Sequence, residues 1–415
     1  MGSRNLIVIG GGAAGIFCAI NAARLNRDLK VTVLEKTSKL LSKVKVSGGG
    51  RCNVTHACFD IEMMSRYYPR GGNFVKRAFH QFFTTDTIQW FEERGVKLKT
   101  ETDGRMFPET NSSQTIIDCF LKELTRYDVE VMLNKEVKNI SFDKNSFNLT
   151  LANNESLTAD MICLAVGGYP KSAMFNWIEE SGHSINPPVP SLFTFNLPAG
   201  QAGLPGHDIR SLQGISVEKV RVKIVGTKLQ QEGPLLITHW GLSGPAILKL
   251  SAWGARELQE VKWHFSININ WLAELKEPEL KEWFESMRKQ KATQKVVGKH
   301  ELGFPSRLWT FLAQQSGVKD NMNWADLPAA VRNRFIANLT MYPCEVKGKT
   351  TFKEEFVTAG GIKTNEIDVN TMMSKKIPGL FFAGEVLDVD GVTGGFNFQH
   401  AWTSGYIAAK TASIF

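Results

Sequence analysis

The first 35 residues constrain the fold more than any other stretch. Leu6-Ile7-Val8-Ile9 runs straight into Gly10-Gly11-Gly12-Ala13-Ala14-Gly15. Apolar residues at helical spacing follow, Ile16, Ala19, Ile20 and Ala23. Val31-Thr32-Val33-Leu34 then ends at Glu35. A short, wholly apolar run suits a buried parallel strand. Gly10, Gly12 and Gly15 satisfy G-x-G-x-x-G in a strand–turn–helix frame: Gly10 permits the tight turn, Gly12 lets a pyrophosphate approach the backbone, and Gly15 lets the helix close on the strand. The helix start offers free N–H groups and positive potential to phosphates. Glu35 follows Gly15 by about 20 residues, where a carboxylate accepts hydrogen bonds from ribose hydroxyls. A carboxylate there disfavours a 2′-phosphate, so the expected nucleotide is FAD or NAD rather than NADP.

The far end of the chain separates these two. Ile377-Pro378-Gly379 turns into Leu380-Phe381-Phe382-Ala383, then Gly384-Glu385. A loop through Asp388, Asp390, Gly394 and Gly395 precedes a helical pattern from about Asn397 to Ala412. A strand, a glycine, an acid and a closing helix suit a two-part flavin site. The helix start would face the flavin pyrimidine, where negative charge collects on reduction. A simple NAD dehydrogenase needs no such unit.

G-G-G-A-A-G, L-E-K, S-G-G-G-R-C-N, L-A-V-G-G, T-H-W-G-L-S-G-P-A-I-L, V-T-A-G-G-I and G-E-V-L-D-V-D-G-V-T-G-G-F-N-F-Q-H-A together resemble the BaiN/YhiN-like family of FAD-dependent oxidoreductases, within the glutathione-reductase-like flavoproteins. The resemblance covers nearly the whole chain. It implies an α/β fold: a discontinuous Rossmann-type FAD-binding domain with an inserted β-rich module and a helical segment. The expected limits are 1–190 for the first part of the FAD domain, 191–270 for the β-rich (barrel-like) module, 271–342 for the helical segment, and 343–415 for the flavin-proximal part. The family usually carries Gly-Arg-Lys where this chain has Leu41, Ser42 and Lys43.

The cofactor-binding set this implies begins with Gly10, Gly12, Ala13, Ala14, Gly15, Glu35 and Lys36. It continues through Lys43, Ser47, Gly48, Gly49, Arg51, Cys52 and Asn53 to Val137, Ala165, Gly167 and Gly168. It closes with Gly361, Gly384, Glu385, Asp388, Gly395, Phe396 and Asn397. Gly360 and Gln399 are expected beside the ring. Arg51, His239, Asp388 and His400 are the catalytic candidates. Arg51 steadies an anionic flavin or substrate, or makes a structural ion pair. His239 or His400 donates a proton, or only packs and hydrogen-bonds. Asp388 and Asp390 orient a donor or anchor their loop. Cys52 and Cys58 lack the C-x-x-x-x-C spacing of a flavin-linked disulfide, so Cys52 is expected to be a small buried thiol.

Six cysteines without metal-like pairing suit a reducing cytoplasm, and no run approaches the roughly 20 apolar residues of a membrane span. No metal is expected. The net charge is +8. The densest basic cluster, Arg288 to Lys299, reads as a solvated helix face, and no patch interleaves bases with stacking aromatics, so nucleic acid is the less favoured partner. Gly200 to Gly206 has no strand–helix frame and reads as a loop rather than a second nucleotide site. The leading reading is therefore an FAD-dependent oxidoreductase of a small organic substrate, by enone-type reduction or amine oxidation. NAD(P)H is a transient donor, or the substrate reduces the flavin and O₂ reoxidises it. The alternatives are a nucleic-acid-modifying flavoprotein and a non-catalytic FAD-binding protein.

Overall fold

The computed structural model describes residues 4–143, 146–198, 208–298, 302–303, 305–350 and 357–415. Lys299 and the Gly200–Gly206 stretch lie outside the described residues. The chain divides into two compact units, Met1–Pro190 with Phe352–Phe415, and Ser191–Thr351.

The first unit is built on a five-stranded parallel sheet. Its strands are β1 (Asn5–Ile9), β2 (Lys30–Glu35), β3 (Glu130–Leu133), β4 (Met161–Leu164) and β5 (Leu380–Phe382), in the order β5-β4-β1-β2-β3. Leu6 lies opposite both Met161 and Val31, and Cys163 opposite Phe381. Every residue of β4 and β5 is buried, as parallel strands covered on both faces require. Helix α1 (Ala13–Leu25) covers β1, and the C-terminal helix α2 (Phe396–Ala412) packs against α1. A Cβ on Gly405 would stand 2.7 Å from the Ala14 carbonyl oxygen, so the two helices meet backbone to backbone. Phe17, Phe82, Trp90, Phe120 and Trp402 form an aromatic core beneath them. Its edge holds a buried ion pair, Arg94 Nε to Glu123 Oε2 at 2.8 Å, with Arg94 over the Trp90 ring. A three-stranded antiparallel sheet (Val137–Asp143, Ser146–Leu151, Ser156–Ala159) sits between β3 and β4 in the chain.

The second unit holds a seven-stranded antiparallel sheet. Its spatial order is Tyr342–Lys347, His264–Asn270, Ser216–Ile224, Gln230–Ile237, Gly241–Ser243, Thr194–Asn196 and Lys349–Thr350. Helices Pro245–Trp253, Glu277–Gln290, Ser306–Gln315 and Ala329–Thr340 complete it, around a core that includes Trp271, Phe284, Trp309 and Phe335. The sequence assigns the chain from 343 onward to the flavin domain. Instead, Tyr342–Lys347 alternates buried and exposed residues and pairs with His264–Asn270, so the chain stays in the second unit until after Thr350.

Candidate functional site

The site grows from the turn between β1 and α1. Gly10 N–H donates to Leu34 O (2.8 Å), which ties the turn to β2. A Cβ on Gly15 would overlap the Gly10 carbonyl oxygen, so helix and turn close only through glycine. Gly12 caps α1 with no side-chain cap, and nothing lies within 4 Å of where its Cβ would be. The helix starts its own bonding at Ile16, which donates to Gly12 O (3.0 Å). The N–H groups of the first turn, at Ala13, Ala14 and Gly15, are therefore left to an anion. Glu35 Oε2 accepts from Gly11 N (2.8 Å), and Oε1 accepts from Thr37 N and Thr37 Oγ1 (both 2.8 Å). Oε2 keeps a lone pair for a hydroxyl. Lys36 lies 5.7 Å from the Tyr169 ring centre, and Val137 is buried at the start of its strand. Ala165 N donates to Ile9 O (2.9 Å), leading β4 into Gly167 and Gly168.

The segment after β2 is helical over Ser42–Gly50 but breaks at Ser47, Gly48 and Gly49, the two glycines being left-handed (φ +58° and +68°). Gly49 opens onto free space. Leu41 is also left-handed (φ +57°), a conformation that glycine adopts without strain. Its side chain is buried, and that burial offsets the backbone strain. Lys43 Nζ meets Glu385 Oε2 at 2.5 Å, while Glu385 Oε1 accepts from Thr358 N (2.9 Å). One carboxylate thus joins three segments of the first unit. Arg51 donates to Glu101 Oε1 (2.6 Å) and lies 4.0 Å over the Phe107 ring, a structural ion pair on a half-exposed surface. Cys52 is fully buried, and burial pushes its thiol up to about 12. Cys52 and Cys58 are both free thiols. Asn53, with its amide oriented by its neighbours, donates to Thr55 O (3.0 Å) and accepts from Gly395 N (2.9 Å).

That last bond fixes the start of α2. Gly395 is left-handed (φ +92°), and a Cβ there would stand 2.5 Å from Thr55 O. Asn397 braces the preceding loop, accepting from Gly391 N and donating to Gly391 O (both 2.8 Å). The Phe396 ring stacks on Tyr67 (4.5 Å) and His56 (4.7 Å). Gln399 is buried, accepting from Thr55 Oγ1 (2.6 Å) and Thr87 Oγ1 (3.0 Å). His400 and Ser404, one turn apart, clamp the Gly384 peptide. Ser404 Oγ accepts from Gly384 N (2.9 Å), and His400 Nε2 donates to Gly384 O (3.2 Å). Burial lowers the His400 imidazole to about 4, so it is neutral, and among the described residues its buried Nδ1 has no partner. Gly384 in turn packs on Ala14 in the first turn of α1. Asp388 Oδ2 accepts from Asn186 Nδ2, and Asp390 is buried against Arg70. Gly360 and Gly361 approach Pro187 and Val386 backbone. His239 belongs to the second unit, exposed and edge-on to Trp240 at 4.4 Å.

Four residues of this arrangement are absent from the sequence-derived set. Ser404 is recoverable from helical spacing, since i and i+4 share a face with His400. Thr358, Glu101 and Arg70 carry no local signal. Among the described residues no acid, cysteine and histidine cluster can hold a metal ion, and no helix is long and apolar enough to cross a membrane. The open first turn of α1, the space over Gly12 and Gly49, and the partnerless His400 Nδ1 and Thr358 Oγ1 all fit a bound dinucleotide flavin.

The chain is 30% identical over 411 residues to the ribosomal RNA dihydrouridine synthase of Escherichia coli K12, covering 97% of this chain and 96% of that one. It is 27% identical over 415 residues to the 3-dehydro-bile acid delta(4,6)-reductase of Clostridium scindens, covering 98% of each. The fold is shared with the 3-ketosteroid-delta4-(5alpha)-dehydrogenase of Rhodococcus jostii RHA1, at TM-score 0.52 and 12% identity over 100% of this chain and 98% of that one. Residues 4–411 match the HI0933-like protein Rossmann domain, and the chain belongs to that family of FAD-dependent oxidoreductases.

Proposed function

We propose that this protein is a reductase of a carbon–carbon double bond conjugated to a carbonyl, and that its substrate is a uridine in ribosomal RNA. The observation that carries the reading is the near full-length similarity to a ribosomal RNA dihydrouridine synthase. Its name and that of the bile-acid relative converge chemically. Dihydrouridine is uridine saturated at the ring double bond conjugated to a carbonyl, and a delta(4,6) 3-oxo steroid presents the same unit extended. The net charge of +8 favours the polyanionic substrate over a free enone.

When bound, FAD supplies the hydride. The chain's residues hold and orient. The first turn of α1 takes the diphosphate, and Glu35 takes a ribose hydroxyl. The Lys43–Glu385–Thr358 junction and the His400–Ser404 clamp fix the segment entering α2. His400 keeps geometry rather than delivering a proton, because its Nε2–H is engaged and its imidazole is neutral near pH 7. NAD(P)H is the proposed transient donor. The test is anaerobic: FAD-loaded protein is bleached with NADPH or NADH, then mixed with unmodified ribosomal RNA or with a 4-en-3-one steroid. Recovery of flavin colour with the RNA supports the reading. Recovery with the steroid alone moves the substrate to a small enone, and failure of both nicotinamides to bleach the protein removes the reductase.

A further inference from the structure

The net positive charge is not shared evenly between the two units. Between 191 and 351 the chain has 21 Lys and Arg against 14 Asp and Glu, whereas the rest has 28 against 27. The second unit therefore carries +7 of the +8, on about two fifths of the residues. A solvated surface needs no such partition, but a polyanion-binding unit does.

Within that unit the charge meets an unusual local build. Lys262 and Trp263 are consecutive left-handed residues (φ +53° and +56°), strained for bulky side chains. Trp263 O accepts from Gly348 N (2.9 Å), so the turn at Lys262–Trp263 is locked onto the Lys347–Lys349 turn. His264, exposed, lies opposite Lys347 across the strands. Lys349 Nζ sits 4.8 Å from the Trp263 ring centre. Among the described residues no carboxylate pairs with Lys349, and burial lowers its pKa. A half-buried ammonium set against an aromatic face is costly unless an anion completes it. Lys347 pairs with Glu345 at 3.6 Å, both well exposed, a weak contact that a phosphate can displace.

We propose that the unit Ser191–Thr351 docks the RNA backbone, with Lys349, Lys262, His264 and Lys347 as its phosphate-contacting edge. This rests on the reading of RNA as substrate, and it adds which unit and which side chains hold it. Such contacts position a strand without reading its sequence.

The experiment measures filter binding of the FAD-loaded full chain to in-vitro-transcribed small- and large-subunit ribosomal RNA, from about 50 to about 200 mM salt. The K262Q/K347Q/K349Q variant is compared with wild type and with a control stripped of three exposed lysines in the first unit, K97Q/K122Q/K171Q. Flavin content and the rate of bleaching by NAD(P)H confirm that each variant is folded. Loss of three phosphate contacts should make the slope of log K against log[salt] shallower by about 2, with the control like wild type. If wild type binds RNA but the triple variant keeps its slope, or the control loses as much, the assignment of the edge fails and the RNA reading stands. If wild type does not bind RNA, both fail.

Discussion

Replacing Gly12 and Gly15 separately by alanine should separate cofactor binding from folding. At Gly12 the backbone is extended (φ −85°, ψ −171°), a conformation alanine accepts, and no atom lies within 4 Å of the new Cβ. Replacing glycine by alanine at an N-cap costs about 0.5–1 kcal/mol. Reduced freedom of the unfolded chain returns about 0.4–1 kcal/mol. The net change in stability should lie within about 0.5 kcal/mol. The methyl group, however, fills the space through which a diphosphate reaches the first-turn N–H groups. Each charge-assisted hydrogen bond lost costs about 1.5–3 kcal/mol, so the FAD dissociation constant should rise roughly 10- to 100-fold. At Gly15 the methyl group overlaps the Gly10 carbonyl oxygen and also meets Ala165 Cβ at 3.2 Å. Overpacking there should cost about 1–3 kcal/mol. Urea unfolding of the apoprotein and FAD titration by flavin fluorescence give both numbers. A Gly12→Ala protein that is stable and binds FAD like wild type would refute the placing of the diphosphate over Gly12.

Other outcomes follow from single buried groups. His400 titrates at about 4 when folded against an ordinary 6.5, so its contribution to stability is complete above pH 6.5 and is lost as pH falls toward 4, by up to about 3 kcal/mol. His400→Gln should flatten that acid slope in pH-dependent unfolding; an unchanged slope contradicts the burial argument. Glu123→Ala removes the buried partner of Arg94 and leaves it the exposed Glu93 carboxylate at 3.6 Å and the Trp90 carbonyl, so it should cost about 3 kcal/mol, read by denaturant midpoint. A loss below about 1 kcal/mol would show that the pair is solvated. Cys52 should resist iodoacetamide in the native protein at pH 8, since its thiol is near 12, while half-buried Cys58 reacts first; mass mapping of rapid native alkylation at Cys52 would contradict this.

The β1–α1–β2 frame was legible because its whole logic is local. An apolar run, a spaced set of glycines and an acid lie within 35 residues, and the strands and helix form where those signals stand. The closing unit was legible for the same reason, since Leu380–Phe382 and Phe396–Ala412 carry their own patterns. What sequence could not show is pairing at long range. By sequence Arg51 suits the flavin and an ion pair equally, and only the fold brings Glu101 beside it from a distant hairpin. Asn53 and Asn397 are expected beside the ring, and no local pattern shows that their amides also brace the Gly395 and Gly391 backbones. The strand Tyr342–Lys347 carries no mark of which sheet it joins, because alternation fixes a face and not a partner. The unequal charge of the two units is written in the composition, but it appears only once their limits are known.

The most direct test of the whole account is dihydrouridine itself. FAD-loaded protein is incubated with NADPH and unmodified ribosomal RNA, and the RNA is digested to nucleosides for mass spectrometry. The expected product is dihydrouridine that depends on protein, FAD and reductant together. Unchanged uridine, from protein whose flavin is demonstrably reduced by NADPH, would contradict it.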